Sequence, residues 1–269
     1  MPIIYYIILL GHLIGTIILS FAPDHAYPLN YYYNLASVLF YVIPLIHCIL
    51  QYRKDPKYRY SYLLWILTFS TLTIGQLIWS YYNFFTQVGA PYPSLGDVFW
   101  LAYYPLQFLI LGNIRKKLHH EQTSLDTITL IFLYIIFSLS TSSFLFANLN
   151  LEQPLLTTIL SFTYPTADAL LAAYAVSLLF KQDSHRPLYL SLLVISYLLI
   201  SIADAIFAYT TNRNLYWNGN YVDFLYTFAH FLMALAVYYL PRVNENTTSA
   251  QPEKGIDLSA ISPSNKGTA

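Results

Sequence analysis

The sequence is poor in everything a water-exposed surface requires. Only 10% of its 269 residues are charged, against about 25% in soluble domains. The formal net charge is zero, which excludes the basic field that nucleic-acid binding needs. Cys48 is the single cysteine, so neither an intramolecular disulfide nor a Cys-based metal site can be built. Motifs with a chemical signature are missing as well: there is no glycine-rich phosphate loop, no HExxH and no GxSxG elbow. No motif marks the chain as an enzyme, and none implies a cofactor.

Apolar sequence fills the space. Hydrophobic residues make up 57% of the chain and the mean hydropathy is +0.48, so lipid takes the place of water around most of the exterior. Apolar runs of about 20 residues, the length that spans a bilayer as a helix, occur at 3–22, 34–51, 61–84, 95–114, 125–147, 155–181, 187–210 and 220–241. The expected fold is therefore all-α, a polytopic integral membrane protein with eight transmembrane helices. Alternating ten-residue strands, the mark of a membrane barrel, do not occur.

Charge placement sets the orientation. Loops 51–60, 115–124 and 181–186 and the segment after 241 are basic. Of the 13 Lys and Arg residues only Arg213 falls in an alternate loop, which leaves 12 on one side. The positive-inside rule then places both termini in the cytoplasm of a bacterial-type plasma (inner) membrane. The first span lacks a basic n-region and is followed by Pro23, so it is expected to be retained rather than cleaved. Residues 1–242 form the membrane domain, and 243–269, polar and without a period, read as a disordered cytoplasmic tail.

Two phrases recur inside the apolar sequence. "PSLGDVFWLAYY" holds Asp97 and "YPTADALLAAY" holds Asp168, each with a proline just before and Ala-Tyr following. A longer echo aligns "IGQLIWSY", with Gln76, on "IADAIFAY", with Asp204, and further on Asp97 aligns on Asp223. Four spans separate the copies, so the halves would be 4+4 parallel repeats about an axis along the membrane normal. The spans that run inward share a second pattern. Asn34, Asp97, Asp168 and Asp223 are followed seven residues later by Tyr41, Tyr104, Ala175 and His230, on the same helix face. A helix from 155 to 181 would be about 40 Å long, more than a ~30 Å core needs. Pro165 is therefore expected to start a helical segment, with 155–163 a separate tilted or re-entrant piece and Asp168 in an opening turn.

The carboxylates are the candidate site. Asp97 and Asp223, near helix starts, suit the positive end of a helix dipole, a structural role weighed equally with a functional one. Asp168 and Asp204 lie deeper, where an Asp costs roughly 2.5–3.5 kcal/mol to insert. No Lys or Arg lies inside a span to pair with them. Gln76, Tyr104, Tyr164 and His230 are at the same level and are expected to join them. Aromatic residues there, among them Trp79, Trp100 and Tyr226, fit an interfacial belt or an outward-facing pocket whose carboxylates and rings suit a cation or an amine. His12, His47 and His230 raise haem ligation, but a hydrogen-bonded interior His is the commoner case.

The phrases "PSLGDVFWLAYYPL", "TYPTADALLAAY" and "NGNYVDFLYTFAHFLMALA" resemble the N-terminal membrane region of bacterial membrane-bound GGDEF/EAL diguanylate cyclase and phosphodiesterase proteins and of related sensor kinases. The resemblance covers roughly residues 60 to 241 and implies a sensory or anchoring module for an undefined small ligand. Here the segment that follows is short and polar, with no GGDEF-type loop, so the catalytic activity is not implied. The expected function is a stand-alone, non-catalytic sensory module whose partners are the lipid bilayer and a separate cytoplasmic signalling protein. The alternative is a small proton- or cation-coupled transporter or channel using the same Asp cluster. A membrane-embedded lipid or polyol enzyme fits less well, since it would place paired carboxylates at a cytoplasmic helix end, where only Asp126 is found.

Overall fold

The structure is a computed structural model that describes residues 2–86, 91–117, 124–147, 154–179 and 187–247; among these no strand occurs. The helices are α1 (Pro2–Phe21), α2 (Leu29–Ala36), α3 (Leu39–Lys54), α4 (Arg59–Phe85), α5 (Leu95–Lys117), α6 (Ser124–Ala147), α7 (Leu155–Leu179), α8 (Leu188–Asn212) and α9 (Tyr221–Thr247). Seven helical stretches are long and apolar enough to cross a membrane, α2 and α3 counting together as Leu29–Lys54. In α6, where a span over 125–147 is expected, the apolar stretch Thr127–Ser140 is shorter.

Six helices close a ring. Contacts run from α3 to α4, α4 to α5, α5 to α7, α7 to α8, α8 to α9, and from α9 back to α3. The other two long helices stand outside it: α1 lies against α9, and α6 against α7 and α8. This explains why α1 has large apolar side chains such as Ile3, Ile7 and Ile17 exposed along its length, as a lipid-facing helix does. Inside the ring, at the end that holds the basic segments, packing is tight. Tyr62, Trp65, Phe69, Leu111, Leu193 and Met233 are almost fully buried there in one cluster.

The opposite end is built from the loops before α5 and α9 and the segment after α1. The start of α5 is a capping box: the Ser94 hydroxyl accepts from the Gly96 N–H at 3.1 Å, and the Asp97 carboxylate accepts from the Ser94 N–H at 2.6 Å. The start of α9 repeats the device, with the Asn220 side-chain oxygen accepting from the Val222 and Asp223 N–H groups. Its carboxylate reaches one residue further back, to the Gly219 N–H at 2.6 Å. Gly219 has φ +90°, and an added Cβ would lie 2.6 Å from Leu19, so both backbone and space demand glycine there. His25 stacks on Trp217 with ring centroids 3.8 Å apart, tying the segment after α1 to the loop before α9.

Two expectations are corrected. Residues 155–163 are not a separate piece: α7 is continuous and Pro165 lies within it, so Asp168 sits mid-helix and not in an opening turn. Pro44 and Pro105 are likewise inside α3 and α5. Pro165 removes the N–H that would bond the Ser161 carbonyl four residues back, and the helix runs through it. Nearby, Tyr104 donates from its hydroxyl to the Tyr164 carbonyl at 3.3 Å. The second span begins at Leu29 rather than 34, and its interruption falls at Ser37–Val38, ahead of Pro44. At the carboxyl end α9 reaches Thr247, while its apolar stretch, Tyr221–Leu240, ends close to the expected span end at 241; residues 248–269 of the expected tail lie outside the described residues.

Candidate functional site

Within the ring, at the end opposite the basic segments, is a cavity of about 140 Å³. Seven of the eight residues singled out in the sequence line it. Gln76 comes from α4, Asp97 and Tyr104 from α5, and Tyr164 from α7; Asp204 comes from α8, and Asp223 and His230 from α9. The eighth, Asp168, is fully buried in α7 behind this wall, facing the Asp204 carboxyl and the Tyr104 hydroxyl. Asn34 and Tyr41, the first pair of the seven-residue pattern, line the cavity too. They meet the last pair: Asn34 donates to Asp223 at 3.4 Å, and the Tyr41 hydroxyl lies 3.4 Å from His230 Nδ1. Gln76 donates to the Asn34 side-chain oxygen, so α2, α4 and α9 are joined by one polar chain.

The four carboxylates fall into two kinds. Asp97 and Asp223 are the third residues of their helices, and both oxygens of each accept hydrogen bonds. Besides Ser94, Asp97 accepts from the Tyr164 hydroxyl at 2.8 Å. Besides Gly219 and Asn34, Asp223 accepts from the Tyr216 hydroxyl at 2.8 Å. Burial, with the Asp223 carboxylate beside it, holds the Tyr216 phenol well above its ordinary range, so it remains a donor. Asp204 and Asp168 have no such backbone scaffold. Asp204, half-buried at the cavity wall, accepts from the Tyr226 hydroxyl; neither oxygen of Asp168 has a hydrogen-bond partner. Among the described residues no Lys or Arg lines the cavity.

Aromatic rings form the remainder of the wall. Trp79 lies with its centroid 5.7 Å from Trp100 and 6.4 Å from Phe207, and Phe207 lies 4.8 Å from Tyr216. Their placement has local causes. Trp79 donates from its indole N–H to Asn218 at 3.1 Å, which anchors the loop before α9 onto α4. Trp100 rests on the bare backbone of Gly75, where an added Cβ would come within 2.6 Å of the indole nitrogen. Burial raises the Tyr92 phenol in the loop before α5, and its hydroxyl reaches Ser161. Trp79, Trp100 and Tyr226 thus face the cavity and not the outer surface of the bundle, whereas Tyr81 is exposed, as a belt residue would be.

Phe207, Tyr216, Tyr92 and Thr227 are among the lining residues that sequence reasoning missed. Phe207 could have been found, since it is the partner of Trp79 in the aligned "IGQLIWSY" and "IADAIFAY". Tyr92 and Tyr216 sit in loops, where helix periodicity gives no signal.

The three histidines do not converge on a metal-binding set. His12 bonds the Ile8 carbonyl and Ser37, and His230 the Tyr226 carbonyl, as interior histidines do. Among the described residues no three His, Cys, Asp or Glu side chains are grouped to hold an ion. The chain matches no protein-family profile, no curated protein and no solved structure.

Proposed function

We propose that this chain is an eight-span protein of a bacterial-type plasma membrane, built as a 4+4 parallel repeat with both termini in the cytoplasm. In this reading it acts as a stand-alone, non-catalytic sensory module. A small ligand enters the Asp- and Tyr-lined cavity from outside, and the bundle passes the occupancy on to a separate cytoplasmic signalling protein. The observation that carries the reading is the cavity itself: a space walled by aromatic rings and carboxylates inside an otherwise apolar bundle, at the end away from the basic loops. Inserting those groups is costly, and intramembrane ionisable residues are by default functional.

The contact order supports the repeat. The path α3, α4, α5 is followed by α7, α8, α9, and a two-fold axis along the bundle would exchange the joins α5 to α7 and α9 to α3. Gln76 and Asp204, aligned in sequence, both line the cavity. The resemblance to membrane regions of cyclases, phosphodiesterases and sensor kinases favours sensing over other uses.

Native mass spectrometry of the protein released from lipid nanodiscs tests the reading. A small molecule retained by the wild type and lost in Asp204→Asn is the expected result, and no retained molecule in either would remove it. One observation favours a second reading, a proton- or cation-coupled transporter or channel. The Asp168–Asp204 pair lies mid-helix with no basic residue in the cavity wall, as a proton or cation site would. Uptake by reconstituted vesicles that responds to a pH gradient would decide for transport.

A further inference from the structure

The cavity has a chemical polarity that narrows its ligand. Most of its hydrogen-bond donors nearest the carboxylates are already used: Trp79 on Asn218, Tyr164 on Asp97, Tyr216 on Asp223 and Tyr226 on Asp204. What remains for an occupant is acceptor capacity, ring surface and one neutral donor, the unpartnered Tyr103 hydroxyl. Asp97 and Asp223 each accept three hydrogen bonds already, so most of the free acceptor capacity belongs to the Asp204 carboxyl, with unpartnered, fully buried Asp168 beside it. Above the pair stand Trp79, Trp100 and Phe207, a set of rings in mutual contact. An anion meets no Lys or Arg here and faces carboxylates. A neutral apolar molecule leaves Asp168 and Asp204 without compensation. An ammonium group satisfies both walls at once, because its N–H or N–CH groups suit a carboxylate and the negative faces of aromatic rings.

Size sets the second limit. The volume of about 140 Å³ is close to the ~150 Å³ cavity that holds one benzene molecule. We propose that the cavity binds a small organic monocation, an amine or quaternary ammonium of about six to eight non-hydrogen atoms, with its charge on the Asp204–Asp168 carboxyls and its carbon portion against Trp79, Trp100 and Phe207. The proposal rests on the reading of the cavity as a ligand pocket and adds the class of ligand.

The test uses three probes of one shape on the full chain in lipid nanodiscs: benzylammonium, its neutral counterpart benzyl alcohol, and benzoate. Trp79 and Trp100 serve as fluorescence reporters. Benzylammonium is expected to bind saturably and at least tenfold more tightly than benzyl alcohol, about 1.4 kcal/mol, with benzoate weakest. Asp204→Asn should bring benzylammonium down to the affinity of the alcohol while the alcohol itself is unchanged. The wild-type ranking stands alone should that variant fail to fold. Equal binding of amine and alcohol overturns the cation assignment but leaves a pocket. Preferred benzoate binding, or no binding by any probe at millimolar concentration, also overturns it. In the last case a molecule retained in native mass spectrometry still upholds the pocket, and its absence removes both.

Discussion

The starts of α5 and α9 and the middle of α7 and α8 each place two aspartates inside the same bundle, to opposite effect. At the helix starts, Asp97 and Asp223 accept from backbone N–H groups and tyrosine hydroxyls, so removing the carboxylate strands donors. In mid-helix, Asp168 accepts nothing and Asp204 accepts from Tyr226. One residue type therefore organises structure in one region and stands as an unsatisfied group in the other. A buried polar group without a partner lowers stability, and a chain keeps such a group where it has a use.

Substitutions can break this contrast. The largest loss should follow Asp223→Ala, which strands Gly219 N–H, Asn34 and the Tyr216 hydroxyl together; we expect about 3 kcal/mol from the unpairing of buried groups, read as a lowered unfolding midpoint in SDS-titrated micelles. Asp97→Ala loses the capping box and the Tyr164 contact and should cost about 2 kcal/mol by the same measurement. Replacing the cap alone, Ser94→Ala, should cost about 1 kcal/mol, and an unchanged midpoint would show that α5 needs no cap. Asp168→Ala should have the smallest effect and the opposite sign, raising the midpoint by up to about 1 kcal/mol as an unpaired buried group is lost. A drop of 2 kcal/mol or more there would place Asp168 with the structural pair and erase the distinction.

Much of the candidate site was legible from spacing. The recurrence of a polar residue and a partner seven residues on, Asn34 with Tyr41 and Asp223 with His230, put both members on one helix face, and those faces turn out to meet across α2, α3 and α9. The capping boxes were legible as Ser94-x-x-Asp97 and Asn220-x-x-Asp223, yet they read only as acids near a helix dipole until the loop geometry showed which N–H each oxygen takes. Proline misled. Pro165 was read as a helix start because its local chemistry favours the first turn, but α7 runs through it, held on both sides by packing against α6 and α8. Belt and cavity aromatics could not be separated either. Trp79 and Tyr81 are two residues apart, and only packing sends one inward and leaves the other exposed.

The sequence by itself determined that the chain is helical and apolar enough for lipid, where the basic residues gather, and which helix faces bear polar groups. These follow from composition and the 3.6-residue period, which are local properties. Tertiary structure alone decided that six helices close into a ring with α1 and α6 outside, that a cavity remains at one end, and that three of these aspartates find donors while Asp168 does not. Partnership depends on residues far apart in the chain, Asn34 with Asp223 or Tyr164 with Asp97, and no local rule encodes which distant donor will arrive.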